Sequence, residues 1–153
     1  MIQLLISVDE ITEGSCGKMN GKGGDLPTAA QFEYAARYDT QDVQPEQLVI
    51  WDNRHESTVS VRSGYQNRFG VFNLLGNVWE SMRDAYESDF YSRMPGTDPY
   101  NPLTDPSRQF EEFRGGSFDV DRTNARAAYH SYDCPVFRAN LVGFRCVWPQ
   151  DSE

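Results

Sequence analysis

Apolar and polar residues alternate in changing patterns along this chain, and each change marks an element. The run IQLLISV from Ile2 to Val8 is of β type, while Asp9 to Asp25, rich in Gly, Lys, Asn and Asp, predicts a loop. In LPTAAQFEYAARY the spacing puts Phe32, Ala35 and Ala36 on one helical face, with Thr28 as N-cap and Gln31 completing a capping box. Polar residues from Asp39 to Gln47, with Pro45, lead to a short apolar run, LVIW, and then to the polar turn DNRHES. The cluster SGYQNRFGVFNLLGNVWE is too apolar for a solvent loop and too rich in Gly and Asn for a helix, so it predicts short buried segments joined by tight turns. Pro, Gly, Asp and Asn between Asp89 and Phe110 predict a long surface excursion, and FRGGSF at Phe113 to Phe118 restarts order. RTNARAAYH fits a strand or a short extended segment equally well. GFRCVW predicts a terminal strand that pairs with IQLLISV and brings the chain ends together.

Length then bounds the organisation: 153 residues with 39% hydrophobic and 13% aromatic content predict one domain over residues 1–153. A net charge of −9 argues against nucleic acid and anionic membranes, which need a basic footprint. No apolar run approaches the roughly 20 residues that span a bilayer. IQLLISV lacks the basic flank and cleavage site of a signal peptide.

Candidate chemistry is sparse. Cys16, Cys134 and Cys146 show no CxxC and no close pairing, which signals neither a disulfide framework nor a zinc site and leaves room for one bridge; Cys146 reads as a buried small hydrophobe. His55 and His130 read as surface residues without a nucleophile at useful spacing. The carboxylate pairs Glu111 with Glu112 and Asp119 with Asp121 fall in segments expected at the surface, with no general-acid environment.

Taken in order, LPTAAQFEYAAR, FGVFNLLGNVWE, FRGGSF and GFRCV resemble the signature blocks of the formylglycine-generating-enzyme family, over about Leu26 to Trp148. The resemblance implies an α+β, C-type-lectin-like fold with a small mixed sheet, few helices, much irregular chain and paired terminal strands. The first 25 residues have no room for the family's usual N-terminal portion and first helix. Enzymes of the family bind copper through two cysteines placed three and eight residues after the serine of the GGS block, where soft thiolates suit the metal. Here those positions hold Val120 and Ala125, and Cys134 lies nine residues beyond the second. The expectation is therefore no copper and no enzyme activity.

NLLGNVWE is similar to a calcium loop of the family, which implies ligands from the Asn73 side chain, the Gly76 and Val78 carbonyls and the Glu80 carboxylate. The competing expectation is that Asn73 and Glu80 hydrogen-bond the turn's own backbone. A second family calcium site would need a segment between Asn53 and Val59 that is largely absent.

The stretch FDVDRTNARAAYHSYDCPVFRANL from Phe118 to Leu141, within a frame of about residues 114–147, resembles the variable region of diversity-generating retroelement proteins, ligand binders of this same fold. Their diversified codons, of the form NNY, never encode Lys, Gln, Glu, Met or Trp. All five are absent from this stretch although they are common elsewhere in the chain. The resemblance implies ligand contacts from Phe118, Asp119, Val120, Asp121, Thr123, His130, Ser131, Tyr132, Asp133, Cys134, Val136, Phe137, Ala139 and Asn140. Phe118, Tyr132 and Phe137 would be anchors, though Phe118 beside GGS fits a core position equally well. Ala125, Arg126, Ala127, Ala128, Tyr129, Pro135 and Arg138 would form the fixed frame. The expected role is attachment of a virus or cell to a protein or carbohydrate target from the virion or cell surface, the target and the oligomeric state being unreadable.

Overall fold

The helix start read at Thr28 is a closed pair of hydrogen bonds: Thr28 N–H donates to Gln31 Oε1 at 3.0 Å and Gln31 N–H to Thr28 Oγ1 at 3.2 Å. It opens helix α1, Ala29–Arg37, which buries Ala29, Phe32, Ala35 and Ala36. A further acceptor comes from far along the chain, because Asp84 Oδ2 takes the Ala29 N–H at 2.9 Å. A carboxylate at a helix N-terminus satisfies an orphan amide and the helix dipole together. Burial pushes the Asp84 carboxyl up from its usual range, while the amides of Ala29 and Asn101 pull it back down.

The computed structural model describes residues 16–19, 22–37, 43–137 and 139–148, and residues 2–7 as backbone; only the backbone is described at 18, 19 and 22 as well. The expectations for residues 8–15, 20–21 and 38–42, and for Arg138, lie outside the described residues. Strand β1, Ile2–Ser7, is followed by a small hairpin of β2, Lys18–Met19, and β3, Lys22–Gly23. After α1 come β4, Trp79–Tyr86; a single helical turn α2, Phe90–Arg93; β5, Phe110–Arg114; β6, His130–Asp133; and β7, Val142–Val147. Five strands form one sheet in the order β1–β7–β4–β5–β6, mixed because β4 and β7 run parallel while the other neighbours are antiparallel. The terminal strands pair, with Ile2 opposite Val147 and Ser7 opposite Gly143. The α+β, C-type-lectin-like architecture is thus present. No helix among the described residues is long and apolar enough to cross a membrane.

Strand alternation gives the sheet two covered faces. On one, α1, the run Leu48 to Ile50 and the turns from Val71 to Leu75 pack with Met82, Ala125 and Ala127. On the other, Trp79, Phe113 and Val142 are covered by Tyr129, Phe137, Ala139 and Leu141. Val120 packs against both clusters. The LVIW run is therefore buried at Leu48, Val49 and Ile50, but it forms no strand; a short 3₁₀ turn, Trp51–Asn53, leads the chain out with Trp51 exposed. The excursion after β4 lies at the surface and is tied back through Asn101, whose N–H donates to Asp84 Oδ1 at 3.1 Å and whose Nδ2 donates to the Ala85 carbonyl at 2.8 Å.

Two expectations are corrected here. Glu111 and Glu112 are buried, because β5 is an inner strand of the sheet and β6 closes over its edge. Cys16 and Cys146 form a disulfide with Cα atoms 5.4 Å apart, closing a loop with a sequence separation of 130. Sequence gave no sign of it, because the pairing rests on β7 lying beside the segment that follows β1. A bridge across so long a loop restricts the unfolded chain strongly. Replacing Cys16 with Ala is expected to lower stability by about 2–5 kcal/mol in urea unfolding, and reductant should shift the native chain but not the variant.

Candidate functional site

Two glycine turns frame the segment that follows β5. Gly116 adopts φ +80°, and a Cβ there would lie 3.0 Å from the Ala125 Cα, so residues 117–125 fold back tightly over the turn. Gly76 N–H donates to the Gly115 carbonyl at 2.8 Å, and Phe118 N–H to the Asn77 carbonyl at 3.0 Å. Asn77 itself sits at φ +68°, where Asn is tolerated, with its N–H on the Val49 carbonyl and its Oδ1 accepting the Val59 N–H at 2.9 Å. Farther on, Trp51 N–H donates to the Val120 carbonyl at 3.0 Å and Arg122 N–H to Asp52 Oδ2 at 3.1 Å. Asp121 Oδ1 accepts from the Thr123 N–H at 2.8 Å and from its hydroxyl, and that hydroxyl holds the exposed Asp121 carboxyl below its usual range. The loop backbone is thus held at many points while Asp119, Asp121 and Thr123 point into solvent.

The anchor role expected for Phe118 is corrected: at 9% exposure it belongs to the core, drawn in by its hydrogen bond to Asn77 immediately after the GGS turn. Ala125 and Ala127 are buried as a fixed frame requires, whereas Arg126 and Ala128 are exposed.

Strand β6 forms the sheet edge and divides the remaining predicted positions between two faces. Its register sets His130 opposite Arg114, Ser131 opposite Phe113, Tyr132 opposite Glu112 and Asp133 opposite Glu111. His130 and Tyr132 therefore face one side, and Ser131 and Asp133 face the side of Phe113, Phe137 and Ala139. Tyr132, 48% exposed, stacks on Tyr86 with ring centroids 4.0 Å apart and meets Phe110, 47% exposed, at 5.2 Å. His130 is not a plain surface residue, since its ring packs edge-on against Tyr86 at 5.2 Å and Tyr91 at 5.7 Å. Its Nδ1 lies 3.5 Å from Glu112 Oε1.

Beneath this aromatic group lies a buried polar cluster. Arg114 donates from Nε to Glu112 Oε1 at 2.7 Å, from Nη1 to the Ala127 carbonyl at 3.2 Å, and from Nη2 to the Tyr91 hydroxyl, with Glu33 Oε2 3.7 Å away. The Tyr91 hydroxyl donates in turn to Glu112 Oε1, and burial pushes its titration up from the usual phenol value. A guanidinium that donates to β5, α2 and the carbonyl of Ala127 ties these three segments together.

Among the other predicted positions, Cys134, Val136 and Asn140 are exposed and Val120, Phe137 and Ala139 half-buried. Cys134 is a free thiol, while Val120 is half-buried and Ala125 buried where the resemblance would require thiolates. Tyr86, Phe110 and the exposed Trp51 join these positions in space without a sequence cue, because only strand pairing and the bond from Trp51 to Val120 bring them near.

The donor set expected for calcium does not fit the ion as the residues stand. Glu80 is fully buried, and Arg145 donates Nε to its Oε2 and Nη2 to its Oε1, both at 2.5 Å. Arg145 Nη2 also reaches the Phe72 carbonyl at 3.1 Å, so a guanidinium gathers the carboxylate and a loop oxygen. Burial raises the Glu80 carboxyl and the adjacent Arg145 charge lowers it. Asn73, at φ +48°, gives its side-chain N–H to the Ser63 carbonyl at 2.7 Å. Among the described residues no group of three His, Cys, Asp or Glu side chains is placed to hold a metal.

Comparison with known proteins matches residues 16–150 to the sulfatase-modifying factor enzyme 1-like domain, FGE-sulfatase. The formylglycine-generating enzyme of Streptomyces coelicolor is 32% identical over 149 residues, covering 82% of this chain and 46% of the relative. Among solved structures, PvdO from Pseudomonas aeruginosa superposes with a TM-score of 0.71 at 19% identity, over 85% of this chain and 54% of that one. Treponema denticola variable protein 1 gives 0.66 at 23%, over 84% and 49%. The chain spans about half the length of these proteins.

With Arg145 filling the loop, a chelator is expected to leave the thermal midpoint unchanged, and calcium not to raise it. Arg145→Met should cost about 3–5 kcal/mol by stranding a buried carboxylate. A midpoint that falls with chelator would mean that a cation displaces the arginine.

Proposed function

The chain belongs to the sulfatase-modifying factor enzyme 1-like family, and from that premise we propose that it is a binding protein of the variable, retroelement-diversified kind rather than an enzyme. One observation carries the reading: the loop from Asp119 to Thr123 and the edge strand β6 present exposed and half-exposed side chains on a backbone tied to sequence-distant partners. Such a surface alters its chemistry without altering its core, which is the property a diversified binder needs. The structural likeness to Treponema denticola variable protein 1 supports the fold that this role requires. The absence of Lys, Gln, Glu, Met and Trp from Phe118 to Leu141 supports the codon pattern.

Val120 and Ala125, in place of the paired thiolates, support a non-catalytic role without copper. Tyr132, Phe110 and Tyr86 form the aromatic anchor on one face of β6, Ser131 and Asp133 offer hydrogen-bonding groups on the other, and the loop carboxylates add more, a composition suited to a protein or carbohydrate target. The acidic surface disfavours nucleic acid. Display on a virion or cell surface, in several copies, would let weak single contacts add up. The second reading is a catalytically silent, non-variable interaction domain, its family supported by the 32% identity to a formylglycine-generating enzyme and its silence by Val120 and Ala125.

The DNA beside the coding sequence separates the two. A reverse-transcriptase gene and a near-copy of the segment encoding Phe118 to Leu141, differing at adenines, are expected for a diversified protein; an intact neighbourhood without them overturns it. On the protein, Asp133→Asn combined with Val136→Thr and Asn140→Ser should move stability by no more than about 1 kcal/mol, whereas Ala125→Asn should cost about 2–4 kcal/mol, by urea unfolding.

A further inference from the structure

At the Asp119–Thr123 loop, whose Arg122 and Thr123 line it, an open groove of about 330 Å³ cuts down to the first core cluster. Its floor is apolar: Leu48, Leu75 and Ala125 are core residues, and Val43 packs against them. Its lip carries two arginines, Arg122 and Arg126, both exposed. Elsewhere Arg83, Arg93, Arg108, Arg114 and Arg145 each pair with a carboxylate. Arg122 and Arg126 pair with none among the described residues. Arg126 is held in place, since its Nε donates to the Thr123 carbonyl and its guanidinium lies 5.9 Å from the Tyr129 ring centroid. This orients the fork and leaves its terminal nitrogens to meet an acceptor.

We propose that this groove is a second binding site, and that its ligand is a small carboxylic acid with an apolar body. The body covers Leu48, Leu75 and Ala125, and the carboxylate sits at the lip where Arg122 and Arg126 supply charged donors. Two cations with no carboxylate partner among the described residues, beside an apolar floor, match that amphipathic pattern and disfavour a cationic one. The volume is at the small end of ligand pockets, which suits a compact acid rather than a long lipid. The groove uses neither β6 nor its aromatic group, but Arg122 and Thr123 belong to the loop of the proposed attachment surface, which it adjoins.

Octanoate is the probe, titrated into the full chain by calorimetry and followed by the methyl NMR signals of Leu75 and Ala125. Saturable binding at millimolar concentration or below is expected, with both methyl signals moving, and 1-octanol should bind at least about tenfold more weakly because it lacks the charge-assisted bonds. The double variant Arg122→Gln, Arg126→Gln should lose about tenfold or more in affinity while keeping the thermal midpoint, both side chains being exposed. Tyr132→Ala should leave octanoate binding untouched. Equal binding of the alcohol, unchanged affinity in the double variant, or no movement of the two methyl signals would overturn the proposal.

Discussion

A backbone crossing at Gly76 and Gly115 holds the molecule in register. Gly76 stands at φ +80° with the Val49 carbonyl only 2.5 Å from where a Cβ would be, so no other residue fits without displacing main chain. Its N–H closes on Gly115, whose own Cβ position would meet the Leu74 carbonyl at 2.8 Å. The turn before β4 and the turn after β5 are thereby pressed together. The segment leaving the second turn can start only where Asn77 accepts the Phe118 N–H, and its whole path over the core follows from that point.

Charge inside the fold is arranged around the same crossing. Arg145 reaches from β7 to Glu80 on β4 and the Phe72 carbonyl, while Arg114 gathers Glu112, Tyr91 and the carbonyl of Ala127. Each guanidinium donates to groups from separate elements, so the desolvation cost of burying it is offset only when all those elements are in place. A protein with so much irregular chain gains positional definition from such clusters, which leaves the loop and edge strand free to carry exposed side chains on fixed backbone. The consequence is a division of labour: buried arginines set geometry, and exposed residues of the Phe118–Leu141 segment set surface chemistry.

Local patterns were legible and long-range ones were not. The Thr28–Gln31 capping box and the buried stripe of α1 depend on residues three and four apart, and both appear as read. The terminal strands announced themselves by composition. Phe118 was ambiguous, because an aromatic after GGS reads the same whether it points out or in, and only its bond to Asn77 decides. Glu111 and Glu112 looked like surface charge, since nothing local to FEEFR says that β6 will cover its edge. The family resemblance implied a metal ligand at Glu80, yet its counter-ion is 65 residues away.

The sequence by itself determined the family blocks, the α+β class, the absence of thiols at the two family positions and the segment whose composition sets it apart. Those properties reside in residue identity and short spacing, which a chain carries whether or not it is folded. Only tertiary structure decided that Cys16 meets Cys146, that Arg145 fills the loop read for calcium, and that the edge strand splits its exposed residues between two faces. Pairings of that kind depend on which strands become neighbours, and strand order is a property of the packed sheet, where period-two alternation turns each choice of neighbour into a choice of face.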